Sequence, residues 1–252
     1  MTLLQMAAVL LAGLAAGTIN TVVGSGTLIT FPTLLAFGVA PVTANVSNTI
    51  GLTPGVASGV FGYRRELHGQ RGRIMRLGAA SLLGGLVGAV LLLSLPAGAF
   101  SAIVPALIVV GLLLVVFQPR ISVWVDARHE GIRGHHGPWW VGPAVVVSGV
   151  YGGYFGAAQG VIIMGILGIG IDDSLQRLNG LKNVLAGLVN GVAGVLFIVV
   201  AHVDWTVVVL IAVGSVIGGQ VGATFGRRLS PPALRVFIVV VGLVALGAFL
   251  LR

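Results

Sequence analysis

Cysteine is absent from this 252-residue chain, which excludes disulfides and thiolate metal sites. Charge is scarce as well. Asp, Glu, Lys and Arg make up 8% of the residues, against roughly 25% in a soluble domain. The first 63 residues carry no charged side chain, and Trp139–Ile171 and Trp205–Gly226 are further uncharged runs. The acids are Glu66, Asp126, Glu130, Asp172, Asp173 and Asp204, all in loops or near segment ends. That distribution argues against a sodium or metal site built of carboxylates, and against a carboxylate proton relay. No nucleophile–base pair stands out, so the sequence gives no reason to expect an enzyme or a bound cofactor. A basic n-region is missing at the start, so no cleaved signal peptide is expected. Lysine occurs once, at Lys182; the other 13 of the 14 basic residues are arginines.

What remains is apolar: 57% of residues are hydrophobic and the mean hydropathy is +1.09. Each uncharged run is long enough to cross a bilayer, which takes about 20 residues as a helix. The class is an all-α polytopic membrane protein, placed in the cell membrane. A net charge of +8 would suggest nucleic acid in a soluble protein. Here the arginines cluster in short loops, so they read as topology signals and lipid-headgroup contacts, and no nucleic-acid partner is expected.

An internal repeat is visible. "SLLGGLVGA" (Ser81–Ala89) returns as "SVIGGQVGA" (Ser215–Ala223), 134 positions later. Gly17, Gly24 and Gly38 match Gly149, Gly156 and Gly170 at an offset of 132. The chain divides into a first repeat, 1–118, a linker, 119–138, and a second repeat, 139–252. Arginines crowd 64–76, the linker and 226–235, which the positive-inside rule places in the cytoplasm. The turn at 95–98 and the "AHVDW" stretch, 201–205, are then external. Matched loops fall on opposite sides, so the two repeats have inverted topology, a signature of secondary transporters with a midplane substrate site.

Residues 1–38 are too long for one crossing at about 1.5 Å per residue. They contain "VVGSGTLITFP", matched by "YGGYFGAAQG" in the second half. Each repeat therefore starts with a broken or re-entrant helical segment and continues with three transmembrane helices, the first of them 42–63 and 174–200. A backbone break at membrane depth is tolerated only inside protein or beside a water-filled cavity. Pro54 and Pro105 are expected to kink their helices.

Lys182 lies about nine residues, or about 13 Å, into the helix that starts near Asp173. A charge there faces the bundle interior or an aqueous cavity, because lipid exposure is costly. Asn179, Asn183 and Asn190 share a helix face beside it. The first half places Asn45, Ser47, Asn48 and Thr49 on the corresponding helix; Asn45, Asn48 and Thr49 match Asn179, Lys182 and Asn183. Structural alternatives are an ion pair, snorkelling of the lysine, or asparagines acting as interhelical glue. Two polar patches around one cation suit a small oxyanion. The half-helices after Gly24-Ser25-Gly26 and Gly156-Ala157-Ala158-Gln159 present N–H groups at the positive ends of their dipoles, which bind anions. Ser25, Thr27 and Gln159 are the side chains there. The alternative is that these glycines serve packing. His129, His135 and His136 read as a polar loop.

Two blocks resemble the TauE/SafE sulfite exporter family: "AGTINTVVGSGTLITFPTLLAFGVAPVTANVSNTIGLTPGVASGVFGYRREL", and "LNGLKNVLAGLVNGVAGVLF" followed by "HVDW". Gly24-Ser25-Gly26-Thr27 stands where many members read four glycines. The resemblance covers nearly the whole chain. It implies a secondary transporter of small sulfur-containing or organic anions, such as sulfite or sulfonates, working by alternating access. The partners implied are the anion and membrane lipids, and the resemblance leaves room for a homo-oligomer. An anion channel, an uptake system for another oxyanion and a non-transporting membrane scaffold are the alternatives.

Overall fold

The computed structural model describes residues 1–126, 137–226 and 231–250. Among them are ten α-helices and no strand: α1 Leu3–Val22, α2 Thr27–Ala36, α3 Pro41–Gly62, α4 Arg71–Ser94, α5 Ala97–Asp126, α6 Val141–Tyr154, α7 Gln159–Gly170, α8 Leu175–Val200, α9 Trp205–Phe225 and α10 Pro231–Leu250. His129, His135 and His136 lie outside the described residues, as do 227–230 of the predicted 226–235 loop.

Local signals explain where several helices begin. Thr2 and Gln5 form a capping box at α1, and the Ser174 and Asp204 side chains accept the Arg177 and Val207 N–H groups at the starts of α8 and α9. Each offers a side-chain oxygen to a backbone donor that the helix leaves unpaired. Pro41 opens α3, where its missing N–H costs nothing. The expected helices 42–63 and 174–200 correspond to α3 and α8. α5 runs through Pro119 to Asp126, into the expected 119–138 stretch, since a proline removes one hydrogen bond but a helix held elsewhere continues past it.

Among the described residues, five helices are long and apolar enough to cross a membrane: α1, α4, α5 over Gly98–Arg120, α8 and α9. α3 has the length, but Asn45, Ser47, Asn48, Thr49 and Thr53 make it more polar. Leu83, Val90, Val209, Val213 and Ile217 project outward and are exposed, as suits a surface solvated by lipid rather than water. The interior runs from Val9 and Ala16 through Phe31, Leu34 and Ile108 to Phe155 and Ile211.

Close backbone contacts hold the long helices together, and matched residues make matched contacts. A Cβ on Gly84 or Gly88 would overlap the α6 backbone at Val146 and Val150; one on Gly218 or Gly222 would overlap the α1 backbone at Leu14 and Thr18. Gly85 meets Val189 of α8, and Gly219 meets Gly55 of α3. Small residues let membrane helices approach this closely and gain dispersion contacts. So α1 and α3 both pack on α9, as α6 and α8 pack on α4.

The breaks in the first segments are real. α1 and α2 are separated by residues 23–26, and α6 and α7 by 155–158. Gly170, at the end of α7, packs on Trp140 and Val141, where α6 begins. The chain thus returns to the level from which α6 set out.

Candidate functional site

The two breaks meet. Gly24 and Gly156 turn with φ of 87° and 78°, a region open to glycine at little cost. The Gly24 carbonyl accepts the Gly160 N–H at 3.0 Å, and a Cβ on either residue would strike the other's backbone. Likewise a Cβ on Gly26 would overlap the Ala16 carbonyl. Glycine at 24 and 26 therefore has a packing reason: it admits another stretch of this chain.

Where α1 stops, its last carbonyls lose their intrahelical partners and carry the negative end of the helix dipole. α8 answers with donors. Lys182 Nζ donates to the Asn20 and Thr21 carbonyls at 3.2 Å each. Asn179 and Asn183 both donate to the Thr21 carbonyl, at 3.2 and 3.3 Å. Lys182 is 0% exposed, about 10 Å along α8 from Leu175. Among the described residues it pairs with no carboxylate. Asn179, Lys182 and Asn183 are therefore brought together, and what they hold is the end of α1. Asn190 lies about 10 Å further along α8.

The first half makes the matching contact more simply. Asn45 Nδ2 donates to the Tyr154 carbonyl at the end of α6, at 3.0 Å. Asn48 turns to α2, donating to Thr27 Oγ1 at 3.4 Å and accepting from Thr30 Oγ1. Thr49 donates to the Asn45 carbonyl in its own helix, and Ser47 Oγ accepts the Asp204 N–H at 2.9 Å. Asn48 and Thr49 thus make their hydrogen bonds within the first half rather than with the Lys182 group.

The two half-helix starts differ. At α7 the Gly160 N–H is taken by Gly24, and Gln159 Nε2 donates to the Ser148 carbonyl at 3.3 Å. At α2 the Gly26 N–H points to Asn20 Oδ1 at 3.3 Å. Ser25 Oγ is buried there with no hydrogen-bond partner among the described residues, as is Asn179 Oδ1. The α2 start is thus the less committed of the two.

Asn20, Thr21, Gly24, Val56, Lys182, Asn183 and Ala186 line a small cavity with room for about one water molecule. Sequence reasoning passed over Asn20, Thr21 and Thr30. Thr21 acts through its carbonyl, which has no sequence signature. Asn20 stood in plain view as a polar residue four positions before the first break glycine.

At the start of α8, the α3–α4 loop is clasped to the α7–α8 loop. Asp173 binds Arg73 of α4 at 2.5 Å and Arg177 of α8 at 2.8 Å. Arg177 also donates to the His68 carbonyl, and Gln70 to the Arg177 carbonyl. Partial burial pushes the Asp173 carboxyl up, but hydrogen bonds from Arg73 and Arg177 outweigh it and hold the group below its ordinary value.

The family model for "Sulfite exporter TauE/SafE" matches residues 9–250. The chain is 26% identical over 243 residues to "Probable membrane transporter protein ORF9" of Sinorhizobium sp, covering 94% of this chain and 89% of the relative. It is 25% identical over 237 residues to "Probable membrane transporter protein YfcA" of Escherichia coli strain K12, covering 91% and 83%. No solved structure matches the chain significantly.

Proposed function

The chain belongs to the TauE/SafE sulfite exporter family of multi-pass membrane transporters, and from that premise we propose that it moves a small sulfur-containing or organic anion, of sulfite or sulfonate type, by alternating access across the cell membrane. The observation that carries this reading is the surplus of donors around Lys182. A lysine offers three N–H groups and each asparagine amide two, yet Lys182, Asn179 and Asn183 share two carbonyl oxygens. The Thr21 carbonyl alone receives three of these bonds, although it has two lone pairs. An anion entering beside Lys182 would take up the excess and compensate a charge that is expensive at this depth. Gly24 and Ser25 stand in the break between Asn20, near the end of α1, and Thr27, where α2 starts.

Two inverted repeats, 1–118 and 139–252, frame the site in this reading. The mirrored glycine contacts and the paired Asn45–Tyr154 and Asn179–Thr21 bonds support the duplication. The return of α7 to the start of α6, and the clasp between the arginine-rich loop and the start of α8, support opposite orientations. Alternating access would rock one set of helices against the other around the meeting breaks.

Radiolabelled sulfite flux into proteoliposomes tests the proposal. Lys182→Ala removes charge and cap together, so Lys182→Gln is the sharper variant: it keeps a donor for the α1 carbonyls and loses the charge. Flux should be lost in both while Lys182→Gln stays monodisperse and folded. Wild-type flux in a folded Lys182→Gln protein would reduce the lysine to a helix cap and sink this site.

A further inference from the structure

We propose that Asn20 is an internal placeholder for the transported anion, a positioning residue whose amide and backbone oxygens occupy the binding groups until an anion displaces them. The inference rests on the reading of Lys182 as the anion-binding group. Three observations lead to it. First, one residue satisfies both elements of the site: the Asn20 carbonyl accepts from Lys182 Nζ at 3.2 Å, and Asn20 Oδ1 accepts the Gly26 N–H at the start of α2 at 3.3 Å. These are the donor types, a cation and a half-helix N–H, that an oxyanion would bridge. Second, the cavity between Asn20, Gly24 and Lys182 has room for about one water. A sulfur oxyanion is larger, so something in the wall must yield. Asn20 is only half-buried, and its side chain is held by a long 3.3 Å bond from the Gly26 N–H, which leaves it free to yield. Third, the arrangement occurs once. The position matching Asn20 in the second half is Gly152, packed against the Gln159 side chain, and the position matching Lys182 is Asn48. The half with the lysine across from it is the half with the placeholder.

A placeholder has a use in a transporter. An empty site with a bare cation in a low-dielectric interior would be costly to carry back across the membrane. Asn20 supplies neutral acceptors that make the empty state tolerable, and it competes with the anion enough to let the anion leave. It therefore weakens binding, where a direct ligand would strengthen it.

The substitutions separate these roles. Asn20→Ala removes the competing amide, so the KM for sulfite should fall about three-fold or more, with turnover slowed rather than raised. Asn20→Asp installs a tethered carboxylate; it should raise KM about ten-fold or abolish flux. The same variant should keep or raise the thermal midpoint in detergent when Lys182 is present, and lower it in a Lys182→Gln background, where the carboxylate has no cation. A raised KM in Asn20→Ala would make Asn20 a direct ligand and overturn the placeholder. Equal thermal effects of Asn20→Asp in both backgrounds would overturn it too, by showing that the side chain does not share the lysine's space. Because the thermal comparison needs no transport, it tests the placeholder separately from the sulfite reading: a wild type that moves no sulfite defeats only the latter.

Discussion

The Gly24 carbonyl accepts the Gly160 N–H at 3.0 Å, and their α-carbons approach so closely that neither residue has room for a Cβ. One contact thus joins the break of α1–α2 to the break of α6–α7, and so places the two broken segments against each other.

Alanine at these positions should destabilise for different reasons. Gly24→Ala faces both a positive φ and a clash with backbone; Gly160→Ala faces the clash alone. Gly69 has a φ of 78° with nothing within 4 Å of a Cβ, so Gly69→Ala isolates the conformational cost, about 1–2 kcal/mol. Thermal unfolding in detergent should rank Gly24→Ala below Gly160→Ala, and both below Gly69→Ala. A Gly24→Ala protein as stable as Gly69→Ala would show that the breaks do not meet as described.

The glycine seams make a second prediction, about symmetry. Gly84→Ala and Gly218→Ala occupy matched positions and strike matched carbonyls, Val146 and Leu14. Both should lower the yield of folded protein to a similar degree. Gly142→Ala and Gly191→Ala meet nothing within 4 Å and should be neutral or gain up to about 1 kcal/mol from helix propensity. Size-exclusion profiles of the four variants would decide it.

Much of this architecture was legible because membrane helices announce themselves by hydropathy and their loops by arginine. The bounds of α3 and α8 were read to within a residue or two for that reason. The breaks were legible as paired glycines in over-long segments. Their contact partners were not: Gly24 meets Gly160 through main-chain atoms that every residue shares. The same holds for Lys182. Its depth and its asparagine neighbours could be read from spacing, but the groups it holds are carbonyls of Asn20 and Thr21. Helical periodicity put Asn48 on a polar face without saying that Thr27 and Thr30 of α2 would be its neighbours. Pro119 and Arg120 look like the start of a linker, yet α5 continues to Asp126.

The Asp173 clasp gives a pH prediction. Its carboxyl is held below the ordinary range by Arg73 and Arg177, so the folded protein binds its proton less readily than the unfolded chain. The stabilisation is therefore present above the unfolded carboxylate value, about 4, and is lost as pH falls through the lower folded value. Asp173→Asn should cost about 2 kcal/mol at neutral pH. The gap from wild type should close as unfolding is measured at progressively lower pH towards 3. A gap that stays constant with pH would mean that the carboxylate's charge is not what holds the two loops.

Orientation in the membrane follows from where the arginines sit, and it can be read directly because the chain is free of cysteine. Five arginines lie between Arg64 and Arg76, whereas the turn at 95–98 carries none and the 201–205 stretch a single acid. Positive loops stay on the cytoplasmic side during insertion. His68 is exposed in the arginine-rich loop, and Gly98 and His202 are exposed at the two turns. A membrane-impermeant thiol reagent applied to intact cells should therefore label Gly98→Cys and His202→Cys, and should reach His68→Cys only after the membrane is opened. Because His68 lies between α3 and α4 and His202 between the matching helices α8 and α9, labelling one from each side places the two repeats in opposite orientations. Labelling of both from the same side would make the repeats parallel, and the rocking motion proposed around Gly24 and Gly160 would lose its symmetry basis.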